Sequence, residues 1–297
     1  MLSMDGLRKA RNWLGRLRRK LTGTPPKAAR PVIPAGVNRD PVLIFQMGRV
    51  GSKSVLAAVE KSYRHLGLSV PLIHFHYLNN FELIEGRARQ DLPDASLFVQ
   101  DLYLADEVRN LLASLDGRKV KIISLVRDPL ARNVSTFFFA LDEFIPDWEQ
   151  RLQAGALGVE ELQQVFLSRR AFVLTAMNWF EEQLEPTFGI DVYASPFPVE
   201  RGYQMYSSAN ADLLLLRMED MNRCAGPAIA EFLGLSEVGI GKVHPGETLK
   251  AGELYRLFKT RPLPREYVEW TYSFRLARHF YSDAEREAFK QKWTGSA

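Results

Sequence analysis

The sequence predicts an α/β fold with a mainly parallel central sheet, one added hairpin and a helical C-terminal part. Three observations carry that expectation. Short apolar runs, VLIFQM at 42–47 and VKIISLV at 120–126, read as strands buried on both faces. Helical patterns alternate with them, the order that builds parallel sheets. The chain has 297 residues, 46% of them hydrophobic, enough for one sizeable core.

Taken in order, residues 7–21 (LRKARNWLGRLRRKL) place Leu7, Ala10, Trp13, Leu14, Leu17 and Leu21 at helical spacing, with Arg and Lys filling most of the rest. That pattern suits a helix lying on an anionic membrane surface, and equally a solvated tail. Residues 22–40, rich in Pro, Ala and Thr, read as a linker, so the organisation is a basic tail and linker at 1–40 and one domain at 41–297. After the strand at 42–47, residues 55–66 are helical in pattern, 70–76 read as a second strand and 96–100 as a third. A helix over 104–115 precedes the buried strand 120–126. Residues 145–188 are mostly helical. IDVYASPF (190–197) and GYQMYS (202–207) form a hairpin around VERG, LLLLRM (213–218) is one more buried strand, and the chain closes on helices, the last capped by Ser282 or Asp283.

Charge and cysteine content exclude several classes. Residues 1–30 hold nine Lys or Arg against Asp5, a balance of +8, so the other 267 residues carry −4 of the total +4. A nucleic-acid-binding domain wants its basic patch on the folded face, and here the basicity belongs to the tail. The single cysteine, Cys224, forms no intramolecular disulfide, and no adjacent base marks it as a nucleophile. No run approaches the ~18 apolar residues of a membrane span. With no secretory signal pattern either, the expected location is cytoplasmic, peripheral on the inner face of the membrane if the tail binds it.

Two strand–helix junctions carry the functional reading. At the first, GRVGSKS supplies Gly48 and Gly51 for tight turns, Ser52 and Ser54 as hydroxyl donors, and Arg49 and Lys53 as charge, at a helix start whose N–H groups favour an anion. A Walker loop would need glycines at Met47 and Ser52, so a kinase or NTPase is the weaker reading. At the second, the strand 120–126 runs into Arg127-Asp128-Pro129, with Arg132 and Ser135 following. Pro129 suits a helix start, Arg127 offers a planar fork to a phosphate, and Ser135 can face the same anion; an Arg127–Asp128 structural pair is the bland alternative.

Together the two junctions resemble the PAPS-dependent sulfotransferases: Arg49-Val50-Gly51-Ser52 is similar to their 5′-phosphosulfate loop, with Lys53 departing from it, and Arg127 with Ser135 to their 3′-phosphate motif. LRMED (216–220) resembles a further signature of that family, with Arg217 and Glu219 as ion-pair candidates. The resemblance spans roughly 41–293 and is closest to carbohydrate and bacterial capsule-type enzymes. It implies a three-layer P-loop fold, PAPS as cosubstrate, a carbohydrate hydroxyl as acceptor, no metal, and no nucleic-acid partner. The histidines and the cysteine show no metal-ligand spacing.

For a general base the candidates are His74 and His76 in LIHFHYL, two apart on a strand and so on one face near its carboxyl end. The segment resembles the His-x-His of uronyl 2-O-sulfotransferases. His76 is the favoured base and His74 its support, two hydrogen-bonded structural histidines being the alternative; Asp101 and Glu82 stand in reserve. Arg49 and Lys53 are the groups to offset charge on the bridging oxygen. Lys242 and Lys250 are candidate nucleotide contacts beside His244, His65 falls on a solvated helix face, and Phe137, Phe138 and Phe139 read as core. The other readings are a kinase or NTPase acting on a small molecule, and a noncatalytic membrane-associated nucleotide-binding scaffold.

Overall fold

The computed structural model describes residues 36–91, 99–241 and 251–295. The expected amphipathic tail, most of the linker, the first part of the 96–100 strand, and Lys242, His244 and Lys250 lie outside the described residues.

Five strands form one sheet: β1 (Val42–Phe45), β2 (Leu72–Phe75), β3 (Val120–Val126), β4 (Tyr203–Ser207) and β5 (Ala211–Arg217). Their order is β2-β1-β3-β5-β4. Pairs β1/β2, β1/β3 and β3/β5 are parallel and β4/β5 is antiparallel. Central strands β1, β3 and β5 are buried on both faces, which is why they read as unbroken apolar runs. Helices α1 (Ser52–His65), α2 (Phe81–Asp91) and α3 (Val99–Ser114) connect the first three strands. After β3 come α4 (Pro129–Phe139), α5 (Leu141–Phe144), α6 (Trp148–Gln153), α7 (Val159–Ser168), α8 (Arg170–Met177), a π-helical turn (Phe180–Leu184) and α9 (Glu185–Phe188). Helix α10 (Gly226–Leu233) follows β5, and α11 (Gly252–Thr260), α12 (Arg265–Tyr272), α13 (Arg275–Phe280) and α14 (Asp283–Thr294) close the chain.

The connection from β1 steps outward to β2, and the next crosses back over β1 to β3. The order therefore reverses between β1 and β3, where their carboxyl ends open the crevice in which such sheets bind ligands. One core packs around the sheet; a second, aromatic core joins α4 to α7, α11 and α12 through Phe137, Phe166 and Phe258.

Three sequence expectations are corrected. Residues 190–197 form no strand: Pro196 and Pro198 lack ladder donors, and the Asp191 side chain folds back to accept the Tyr193 N–H at 2.8 Å. The hairpin is β4 with β5, closed at Ser208, whose N–H donates to Ala211 O at 2.9 Å. Residues 99–100 begin α3 rather than extending a strand, because Leu104, Ala105 and Val108 bury at helical spacing and draw the segment into a helix. The 42–47 run also leaves the sheet early, at Phe45, freeing Gln46 for the site below. Ser282 caps α14, its hydroxyl accepting from Glu285 N in a capping box.

Candidate active site

The loop between β1 and α1 is shaped by two left-handed residues, Arg49 (φ 70) and Gly51 (φ 88). Gly51 is the N-cap of α1 and supplies no side-chain cap. A Cβ there would be strained by φ and would meet Met221 Sδ at 3.1 Å, so Gly is required. No acid lies in the first turn of α1; Ser52 is buried, Ser54 half-buried and Lys53 exposed. A Cβ on Gly48 would meet nothing within 4 Å, which leaves room over the loop. The 14-residue helix thus presents its N-terminus without a carboxylate of its own.

Three arginines lace this loop to the second junction. Arg127 Nη1 donates to Arg49 O at 3.0 Å, Arg132 Nε to Gly48 O at 3.1 Å, and Arg49 Nε to Ser135 Oγ at 3.2 Å. Arg49 also stacks on Phe139, 4.6 Å from its ring centre. Burial, with the charge of Arg127 beside it, lowers the Arg49 pKa. Burial above all, then the charges of Arg127 and Arg49, brings Arg132 down to about 10. Among the described residues neither Arg49 nor Arg127 makes an ion pair. Crowded cations in a partly dry crevice repel one another, and a multiply charged anion relieves that repulsion with charge-assisted hydrogen bonds.

The second helix start differs. Asp128 caps α4, its Oδ1 accepting from Leu130 N at 3.1 Å and from Tyr272 Oη–H at 2.6 Å. The Asp128 N–H is taken by Glu219 Oε1 at 2.8 Å. Arg217 pairs with Asp220 and Glu285, both at 2.7 Å, and not with Glu219; its guanidinium locks the end of β5 to α14. The Arg127–Asp128 ion pair of the bland reading does not form.

Above the loop, buried Gln46 joins the serine to both histidines. Its Nε2 lies 3.0 Å from Ser52 Oγ and 3.1 Å from a nitrogen of each imidazole. His74 Nε2 is 2.8 Å from Ser52 Oγ. Burial first, then the charges of His76 and Lys53, pulls the His74 pKa down to about 3, so this ring is neutral and serves Ser52. His76 lies one residue past β2, its ring centre 5.0 Å from that of His74. Its Nδ1 is 2.9 Å from Gln46 O, which accepts, and 3.1 Å from Gln46 Nε2, which donates, so Gln46 holds the ring whichever nitrogen carries the proton. Trp179 Nε1 donates to His76 O at 2.7 Å, and Gln183 Oε1 accepts from Leu78 N and Asn79 N. The π-helical turn carrying Gln183 thereby fixes the chain that leaves His76.

The structure brings together Gly48, Arg49, Gly51, Ser52, His74, His76, Arg127 and Ser135. Lys53 sits at the rim, felt by His74 only through its charge. Ser54 closes the first helical turn through its N–H to Gly51 O at 3.1 Å. Glu82 is exposed on α2, and the Asp101 side chain lies outside the described residues. Phe137 and Phe138 are core as expected, but Phe139 is 52% exposed beside Arg49, because the aromatic core takes only one side of α4. Gln46, Arg132, Trp179, Gln183 and Glu219 complete the site without having been read as parts of it. The only signal for Arg132 was its spacing five after Arg127. A cavity of about 470 Å³ at the far end of α1, lined by Lys61, His65, Leu235 and Glu237, contains none of these residues. Among the described residues no group of His, Cys, Asp and Glu suits a metal ion, and no helix is long and apolar enough to cross a membrane.

A protein-family model described as "Putative capsular polysaccharide synthesis protein" (NKWYS) matches residues 159–249, under a third of the chain. The matched stretch holds Trp179, Gln183, β4, β5, Arg217 and Glu219, and excludes the two junctions and both site histidines. No curated protein and no solved structure matches the chain.

Proposed function

We propose that this protein is a P-loop sulfotransferase that moves a sulfuryl group from PAPS to a hydroxyl of a carbohydrate acceptor. One observation carries the reading: a helix N-terminus with no side-chain cap at the sheet's switch point, faced by Arg49, Arg127 and Arg132, with His74 and His76 held beside it on buried Gln46. The match to a capsular polysaccharide synthesis family supports a carbohydrate as the acceptor class.

The site's residues fit the two anionic ends of such a donor. Gly48 to Ser52, with Lys53 and Ser54, form the cradle for the 5′-phosphosulfate. Arg127 and Ser135 serve the 3′-phosphate, and Arg49 exchanges its bond to Ser135 for one to the donor. His76 takes the proton of the acceptor hydroxyl as that oxygen bonds to sulfur. The bond from sulfur to the bridging phosphate oxygen breaks, the electron pair stays on that oxygen, and Arg49 and Lys53 offset its charge. The products are a sulfate ester and adenosine 3′,5′-bisphosphate. Positioning and charge do most of this work, as in phosphoryl transfer.

The test is calorimetric titration with adenosine 3′,5′-bisphosphate in EDTA, on the wild type and Arg127→Ala. Saturable binding that the variant weakens supports the reading. A folded wild type that does not bind overturns it, and ATP with magnesium is then the next titrant.

A further inference from the structure

We infer that Glu219 is a positioning residue for the anion site, seating the Arg127–Asp128 peptide from the end of the neighbouring strand. This rests on the sulfotransferase reading only for the identity of the anion.

Glu219 lies in the 3₁₀ turn (Met218–Asp220) that follows β5. As a residue it is exposed, yet both carboxylate oxygens are engaged: Oε1 by the Asp128 N–H at 2.8 Å, Oε2 by the Tyr281 hydroxyl at 2.9 Å. Tyr281 itself is 2% exposed between α13 and α14. A carboxylate beside an anion site is a poor neighbour, since it repels the ligand the arginines attract. Its presence is explained by the N–H it accepts. The Asp128 side chain is turned to its own helix instead, its Oδ1 accepting from Leu130 N and from the Tyr272 hydroxyl. Without Glu219 the peptide after Arg127 loses its acceptor at a place where water enters poorly. Arg127 then loses the fixed base from which Nη1 reaches Arg49 O.

The neighbouring charges fit this role. Arg217 on β5 is paired with Asp220 and Glu285 and is not diverted to Glu219. Asp128 at the start of α4 faces Glu219, with Tyr272 of α12 on Asp128 and Tyr281 on Glu219; enclosure, and after it the Asp128 charge, raise the Glu219 carboxyl above its ordinary range. Glu219 is thus held as an acceptor rather than as a cation's counterion.

The experiment compares Glu219→Ala, Glu219→Gln and Tyr281→Phe in the full chain. Glutamine keeps an oxygen for the Asp128 N–H and gives the Tyr281 oxygen a donor, while removing the charge. The expected result is about tenfold weaker adenosine 3′,5′-bisphosphate binding in Glu219→Ala, wild-type or tighter binding in Glu219→Gln, and an intermediate loss in Tyr281→Phe. Amide hydrogen exchange at residues 127–130 provides a readout that needs no ligand. It should rise in Glu219→Ala and return to the wild-type level in Glu219→Gln, with β5 unchanged. If Glu219→Gln is as impaired as Glu219→Ala, or if Glu219→Ala leaves exchange at 127–130 untouched, the positioning role is wrong. A wild type that ignores the bisphosphate, with the exchange pattern as expected, sinks the sulfotransferase reading and leaves the positioning role standing.

Discussion

The two strand–helix junctions at the crevice are built from similar parts and finished in opposite ways. After β3, the start of α4 is filled from within: Asp128 caps Leu130 N, Glu219 takes the Asp128 N–H, and two tyrosines hold the carboxylates. After β1, the start of α1 receives no carboxylate among the described residues; its cap is Gly51, and arginines surround it. Both helices carry the same partial positive charge at their N-termini. One is neutralised by the protein's own acids and contributes to stability. The other is the one we propose for an anion from outside. A helix start is therefore read as a ligand site by what the chain withholds from it.

The largest effect expected is on turnover, and it leaves both junctions intact. His76→Gln should lower kcat about 10²- to 10⁴-fold, with bisphosphate affinity unchanged by calorimetry. A loss of affinity in place of kcat would move His76 out of the base's role. Next, Arg127→Ala at the anion site should cost about 1.5–3 kcal/mol of bisphosphate affinity, roughly ten- to a hundredfold. Gly51→Ala should break the open junction: an L residue at φ 88 costs about 1–2 kcal/mol, and the Met221 contact adds to it, so affinity falls in parallel with a modest drop in Tm. At the closed junction, Asp128→Ala should lose about 1–2 kcal/mol of stability in urea, with a proportionally smaller change in affinity than Arg127→Ala. If Asp128→Ala destroys binding while stability holds, the distinction between the junctions collapses.

The pH dependence of stability separates them by sign. Burial, only partly offset by hydrogen bonds from Tyr272 and Leu130, raises the Asp128 carboxyl. The folded protein then holds that proton more tightly than the unfolded chain. Its contribution is complete below about pH 4, the unfolded value, and is lost as pH rises through the higher folded one. His74 runs the other way. With the folded value near 3 against about 6.5 unfolded, its contribution is complete above about 6.5 and is lost as pH falls toward 3. Urea melts across the acidic range should show Asp128→Asn flattening the first trend and His74→Gln the second. The same slope in both variants would contradict the opposed environments.

Much of the scaffold was legible because burial on both faces writes itself as an apolar run. VKIISLV maps onto β3 residue for residue, and GRVGSKS and RDPLARNVS fall at the carboxyl ends of β1 and β3. The hairpin pairs β4 with β5 rather than with 190–197, because alternation alone does not name a strand's partner and Pro196 and Pro198 lack ladder donors. In the candidate site, the residues with side chains suited to an anion could be named from the sequence, and the structure sets Arg49, Ser52, Arg127 and Ser135 close together. Those that hold them were not: Gln183 lies 105 residues from Leu78, and Glu219 lies 91 from Asp128. A hydrogen bond across such a separation leaves no period or spacing in the chain.

The link from Arg217 to Glu285 also has a consequence for how the molecule is made. Sixty-eight residues separate the two, and Tyr272 lies 144 residues after the Asp128 it holds. A chain leaving the ribosome displays all five strands before α12 to α14 exist, so a sheet that forms during synthesis would form unlatched. Ribosome-stalled chains ending before α12 should hold the sheet without the latched mouth, and, if the proposed anion site is right, competence to bind should arrive late in synthesis, in one step, as Tyr272, Tyr281 and Glu285 reach their partners.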